Sequence, residues 1–407
     1  MAATLTAPTV TRPTVTPRTL TAPTARTAEV TVLSALDLLS GDAQAFARKV
    51  WASRVHLHQT DPERLVGMLS LDDVDALLTS TAIRTPAVRL AHNGSVLPES
   101  SYTKGGTLAG KPLTGLVDPR RLFDLVDDGA SVVLQGLQRY WPPLTRLVGE
   151  LEAELGHPCQ ANAYLTPPGS QGFAVHSDSH DVFVFQTHGS KRWEVHTDDG
   201  VQDILLEPGL VMYLPTGTPH AARAQDTVSL HVTLGINQLT WRHLVRRAVT
   251  PLLDAVDDGH LPAAYVDQPG TLGAGLADRL TALAAAVRGL DADALAREQA
   301  EGFLSSRPMS LAGGLRDRFA LPGVTSETLL QRRRGRPFTL VDAPEDRVRV
   351  LLGDRHLDVP ARLRPTLERV AERHELRPAN LHDLLDPESA LVLCRRLVLE
   401  GAFTVHG

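Results

Sequence analysis

From about residue 160 to 236 short apolar segments alternate with polar, turn-forming stretches, the signal of closely spaced strands. The segments "QANAYLTPP", "DVFVFQTHG", "KRWEVHT", "QDILLEPG", "LVMYLPTG" and "TVSLHVTLGI" are short and rich in β-branched and aromatic residues. Gly, Pro, Asp or Asn separates each from the next, at intervals too short for intervening helices. The pattern predicts an antiparallel sandwich or barrel rather than βαβ units. Before it, from Val30 to about Leu151, helical stretches such as "GDAQAFARKVWASR" alternate with turn-rich loops such as "HNGSVLPESSYTKGG", a mixed α+β lead-in. After Trp241 the period changes to that of helices, with Ala, Leu and Arg recurring through about Leu311. A basic linker, "QRRRGRP", leads to a last unit that reads as three helices and a short strand, the pattern of a winged-helix-like module.

Composition sets bounds on what these elements build. A sequence of 407 residues exceeds one typical core, so several domains are expected: a tail over 1–28, a β-rich domain over 29–240, a helical domain over 241–331 and the winged-helix-like unit over 337–407. At 43% hydrophobic and 22% charged it has the balance of a soluble globular protein, and no run approaches the roughly 18 apolar residues of a membrane helix. The net charge of -6 argues against a whole-surface nucleic-acid binder. Two distant cysteines, Cys159 and Cys394, exclude a disulfide framework and suit a reducing cytoplasm. The Thr/Pro/Ala/Arg-rich stretch over 1–28 has too few large apolar groups to offset the entropy of ordering, and reads as a disordered tail.

The densest chemistry lies in "NAYLTPPGSQGFAVHSDSHDVFVFQTHGSKRW", residues 162–193. His176 and Asp178 are two residues apart in what reads as a strand, where i and i+2 share a face. His220, in "LPTGTPHAA", is the candidate third ligand. Two histidines and one carboxylate make the facial set of non-haem Fe(II) oxygenases, which leaves positions open for substrate and O2. The rival reading is the wet face of an ordinary sheet. Lys191 follows the "THGS" turn, so a hairpin would fold it over the same face, where a ligand carboxylate is its natural mate. A surface lysine on an edge strand is the other reading.

These stretches, with "PGLVMYLPTGTPHAA" and "SLHVTLGI", resemble the JmjC-type cupin oxygenases of the ribosomal oxygenase group, from about residue 30 to the end. The resemblance implies a mainly β core, a double-stranded β-helix over 29–240, an all-α dimerisation domain over 241–331 and a C-terminal winged-helix domain, α+β overall. It implies an Fe(II)- and 2-oxoglutarate-dependent hydroxylase that uses O2 on a side chain of a protein or peptide, with Arg or His of a ribosomal protein as the expected target and a homodimer as the expected assembly. It assigns the metal to His176, Asp178 and His220, the distal carboxylate of 2-oxoglutarate to Lys191, further cosubstrate contacts to Asn162 and Thr233, and a substrate contact to Tyr164. Some bacterial members have Arg where this protein has Lys191, which keeps the charge and gives up the bidentate fork.

Other residues are weighed and set aside. His180 and Asp181 extend the motif to "HSDSHD", with Asp181 expected to orient a turn or neighbouring strand. His231 and Trp193 read as core, and His56 and His58 lack a nearby carboxylate. The basic run at 332–336 reads as a solvated linker rather than a nucleic-acid contact. Rival functions are a non-catalytic ligand sensor with a winged helix, a Zn cupin isomerase, and the same oxygenase chemistry on another peptide or a biosynthetic intermediate.

Overall fold

The computed structural model describes residues 34–406 apart from 171–173 and 224–225. The expected tail over 1–28 lies outside the described residues. No described helix is long and apolar enough to cross a membrane.

Six helices and six strands build the lead-in. The helices are α1 (Ala35–Ser40), α2 (Ala43–Lys49), α3 (Pro62–Val66), α4 (Leu71–Ser80), α5 (Pro119–Asp127) and α6 (Pro142–Leu155). The first five are capped by Ser34, Asp42, Asp61, Ser70 and Asp118, whose side chains accept first-turn backbone N–H groups. The strands are β1 (His56–Gln59), β2 (Val88–His92), β3 (Ser95–Val96), β4 (Thr103–Leu108), β5 (Lys111–Val117) and β6 (Ser131–Leu134). Next come β7 (Cys159–Thr166), β8 (Asp181–His188), β9 (Lys191–Thr197), β10 (Gly200–Leu206), β11 (Leu210–Leu214), β12 (His220–Arg223) and β13 (Ser229–Ile236). The six strands read from the sequence are all present, and β12 is the one between them that its short, mixed sequence hid.

Two antiparallel sheets face each other. The larger runs β1-β11-β8-β13-β7-β6-β2-β3 and the smaller β10-β9-β12. The outer face of the large sheet buries Leu90, Val132, Leu134, Phe183, Phe185, Leu230, Val232 and Leu234 against α1, α2 and α6. Its inner face packs Val182, Val184, Met212 and Leu214 against Trp193, Val195, Ile204 and Leu206 of the small sheet. Alternating side chains along one strand thus serve two cores, which explains why β8 is buried at nearly every position.

One expectation needs correction. His176 and Asp178 do not sit in a regular strand: β8 begins at Asp181, and the preceding residues form a loop touched only by an isolated bridge at His176. The backbone there leaves the sheet to reach the mouth between the layers.

Helices α7 (Trp241–Asp254), α8 (Pro269–Arg288), α9 (Ala292–Ser305) and α10 (Gly314–Ala320) follow. No described side chain of α7 or α8 is buried, and Trp241, Val245, Leu276 and Leu280 are exposed. The last unit has two full helices, α11 (Arg364–Ala371) and α12 (Pro387–Leu399), around the core of Leu330, Val348, Leu367, Leu393 and Phe403. The helix expected over "RPANLHDLL" is only a short 3-10 turn, Pro378–Leu381. A three-stranded meander, β14 (Thr339–Ala343), β15 (Arg347–Leu351) and β16 (His356–Pro360), was missed, because charged residues such as Arg349 and Asp358 occupy its half-buried face and break the apolar alternation.

The basic run is not a solvated linker. Arg332 lies between the rings of Phe338 and Phe403, 5.1 and 5.6 Å from their centroids, and donates to the Val370 carbonyl. Arg333 pairs with buried Asp317, and Arg336, itself buried, pairs with Asp354. Asp317 also accepts from Thr404 Oγ1 at 2.7 Å and the Val405 N–H at 3.1 Å, tying α10 to the last residues of the sequence. A charge run read in one dimension carries no sign of buried partners, which arrive from distant sequence.

Candidate metal and cosubstrate site

Loop 174–180 and the start of β12 meet through the backbone. His176 N–H donates to His220 O at 3.0 Å, and His220 N–H donates to His176 O at 2.8 Å. This two-bond bridge puts both side chains on one face, with ring centroids 4.5 Å apart. The Gly217 N–H donates to Asp178 O at 3.0 Å, which brings the carboxylate to the same place. One donor atom from each of His176, Asp178 and His220 then lies within 4.8 Å of the others.

The imidazoles are oriented from behind. His176 Nδ1 is 2.9 Å from the Ala174 carbonyl and His220 Nδ1 is 2.9 Å from the Thr218 carbonyl. A carbonyl only accepts, so each Nδ1 carries the proton and each Nε2 lone pair is available to a metal. Burial lowers the His220 pKa and favours that neutral form. Two neutral imidazoles and a carboxylate on one side of a cleft suit a divalent iron and leave positions for other ligands.

Asp181 holds this arrangement from outside the cleft. Buried at the start of β8, it accepts from Tyr213 Oη at 2.5 Å, Thr216 N at 2.8 Å and Thr216 Oγ1 at 2.6 Å. It thereby fixes the turn that carries Gly217 and His220, the orienting role expected for it. It lines a separate cavity of about 810 Å³ with Trp51, His157 and Phe303 that contains none of the triad. The larger cavity is therefore not the centre of the chemistry.

The triad opens into a cavity of about 510 Å³ between the two sheets. Lys191, 3% exposed, faces its interior from the first position of β9, and burial pulls its ammonium down to about 8. The turn before it needs Gly189: φ is +62°, and a Cβ there would fall 1.9 Å from the Val228 carbonyl. Asn162 and Tyr164 of β7 and Thr233 of β13 also line this cavity. Asn162 Oδ1 accepts from the Gly136 N–H at 3.0 Å, which leaves its NH2 as a donor. Tyr164 stacks on His231 with centroids 4.9 Å apart.

The expectation of plain core residues falls short for His231 and Trp193. Both are buried in the cavity wall, and neither His231 Nδ1 nor Trp193 Nε1 has a hydrogen-bond partner among the described residues. Orphaned buried polar atoms beside a buried ammonium are the mark of a polar ligand's seat. The alternation of β9 and β13 put both on the inner face; nothing in one dimension distinguished a packed inner face from one lining a cleft. His180 also lines the cavity, whereas His56 and His58 lie on β1 away from it.

Comparison with known proteins follows the same lines. The family model described as "JmjC domain" matches residues 138–202 and 196–244. A "bifunctional lysine-specific demethylase and histidyl-hydroxylase NO66" of Branchiostoma floridae is 34% identical over 220 residues, covering 52% of this protein and 35% of that one. "Ribosomal oxygenase 1" of Rattus norvegicus is 30% identical over 299 residues, covering 64% of this protein and 48% of that one. The match thus spans less than half the length of these curated relatives. Among solved structures, the Escherichia coli ribosomal oxygenase YcfD matches with a TM-score of 0.51 at 19% identity, over 90% of this protein and 98% of that one. The same protein in complex with cobalt and 2-oxoglutarate matches with a TM-score of 0.50 at 20% identity, over 89% and 98%.

Proposed function

We propose that the protein, whose residues 138–202 and 196–244 match a JmjC domain and which is similar to ribosomal oxygenases, is an Fe(II)- and 2-oxoglutarate-dependent oxygenase that hydroxylates a C–H bond in a protein's side chains. The observation that carries this reading is the triad itself, with both Nδ1 atoms tied to carbonyls and three donor atoms converging. His176, Asp178 and His220 hold the iron, and Lys191 takes the distal carboxylate of 2-oxoglutarate. Bound there, iron supplies what side chains lack: activation of O2 coupled to decarboxylation of 2-oxoglutarate to succinate and CO2.

The protein's contribution is placement. His231 and Trp193 present orphaned polar atoms beside Lys191, and Asn162 offers its NH2, so the cosubstrate is gripped at more than one point. Thr233 lines the cosubstrate's part of the cavity, and Tyr164 forms the wall against which the target side chain lies. The apolar layer of Val184 and Met212 behind them keeps water from the reacting centre. The target class is an Arg or His side chain of a ribosomal protein; the relatives' printed names, "histidyl-hydroxylase" and "ribosomal oxygenase", support the His and the ribosomal part of that reading. The exposed apolar residues of α7 and α8 support the helical region as a dimerisation surface, and the last 70 or so residues remain a winged-helix-like module in this reading.

The test is anaerobic loading with Fe(II) and 2-oxoglutarate, then exposure to O2 with ribosomal extract. Gain of one oxygen atom on a ribosomal peptide, with succinate released, is the expected result; neither product forming overturns the reading.

A further inference from the structure

One edge of the cavity is used by neither the triad nor Lys191. Arg89 of β2 stands opposite Val133 of β6, Val133 opposite Tyr164 of β7, and Tyr164 opposite His231 of β13. Residues directly opposite in antiparallel strands share a face, so Arg89 belongs to the inward row of Tyr164 and His231. It lines the same cavity. From His231 to Arg89 is three strand spacings, about 14 Å at about 4.8 Å each. Lys191 shares the inward face of β9 with Trp193, whose ring centroid lies 5.4 Å from that of His231, so Lys191 stands at the His231 end of this row and Arg89 at the other.

Two observations point to a ligand at Arg89. Its Nε is buried with no hydrogen-bond partner among the described residues, and none of the ion pairs found among them includes it. Of the described residues that line the cavity, Asp178 alone is acidic, and the metal engages it. A divalent cation, Asp178, Lys191 and a doubly charged cosubstrate bring the inner cleft to neutrality. The charge of Arg89 is left uncompensated where low-dielectric walls strengthen its field.

We propose that Arg89 is an anion subsite for the substrate polypeptide: it receives the carboxylate of an acidic residue close in sequence to the hydroxylated one and turns away cationic side chains. The planar guanidinium fork matches a carboxylate in two parallel hydrogen bonds. A guanidinium or ammonium entering the same edge meets like charge with no acid to relieve it. Of the two target classes, this favours the neutral imidazole over the guanidinium. The inference rests on the oxygenase reading for what happens to the peptide, and on the cleft alone for which peptide binds.

Two fluorescein-labelled degenerate peptide pools, each with a central His flanked by either Glu or Lys, test it. Anisotropy is measured with the full-length protein, Fe(II) and 2-oxoglutarate under nitrogen. The Glu pool binds about tenfold more tightly than the Lys pool, Arg89→Gln removes the difference and Arg89→Glu reverses it. Arg89→Lys, which keeps the charge, retains the preference. Equal binding of the two pools by the native protein overturns the proposal, as does a preference that survives Arg89→Glu. So does a loss confined to 2-oxoglutarate affinity, which would make Arg89 a cosubstrate residue. Succinate formation without peptide, measured in parallel, is a separate readout: its absence beside an intact Glu preference overturns the oxygenase reading and leaves the subsite standing.

Discussion

His176 and His220 exchange two backbone hydrogen bonds, of 3.0 and 2.8 Å, across an isolated antiparallel bridge. Backbone, not metal, sets the spacing of these two imidazoles. The site should therefore be preformed, and removing one imidazole should empty it without unfolding it. His176 is exposed, so His176→Ala should shift the melting temperature of the metal-free protein little. Native protein saturated with Fe(II) under nitrogen should gain about 2.7 kcal/mol at a hundredfold excess over Kd, and the variant should gain none. A full metal-induced shift in the variant, read by scanning calorimetry, would remove His176 from the ligand set.

Lys191 gives a pH signature. Its ammonium is held down to about 8 by burial, so ligand-free protein carries the charge below that pH and loses it above. Affinity for 2-oxoglutarate should be level below about pH 8 and fall about tenfold per unit above it. Stability has the opposite sense: between 8 and the ordinary 10.5 the unfolded state keeps a proton that the folded state has released, so the burial penalty of Lys191 shrinks as pH rises. Lys191→Ala should raise the 2-oxoglutarate KM about 100-fold, and Lys191→Arg should recover most of it. An unchanged KM in Lys191→Ala would place the carboxylate elsewhere.

Asp181 does not line the triad's cavity, yet Asp181→Ala should weaken metal binding. The substitution leaves the Tyr213 O–H proton and the Thr216 N–H without their acceptor, at a cost of about 3 kcal/mol, and frees the turn that positions Gly217 and His220. Isothermal titration with Mn(II) should show weaker binding in the folded variant. Asp181→Glu, which keeps the charge, should recover part of it. Native affinity in Asp181→Ala would reduce the residue to a stability role.

Asp317 closes the buried pair with Arg333 and accepts from Thr404 and Val405. Asp317→Ala leaves a guanidinium without its partner and should cost about 3–5 kcal/mol, read as a lower denaturation midpoint with an unchanged slope. Replacing both partners with Leu and Met should cost less than the single change, because no charge is then left buried. A single variant as stable as the native protein would show the pair to be solvated.

The sequence by itself determined the β core. Six short strands with turn residues between them have few ways to bury one face, and they emerged within about three residues of their ends. It also determined the candidate chemistry, because His, Asp and Lys types close to such strands admit few uses. Tertiary structure alone decided where those groups stand. His176 and Asp178 meet His220 through a loop bridge and the Gly217 hydrogen bond, not through the i,i+2 geometry of a strand. Periodicity reports which side of a sheet a residue faces, but whether that side is packed or open depends on the opposing layer. That is why His231, Trp193 and Arg89 could not be placed in a cleft from one dimension. The same limit hid the partners of Arg332, Arg333 and Arg336: the strength of a charge depends on its neighbours in space, and those neighbours come from anywhere along the sequence.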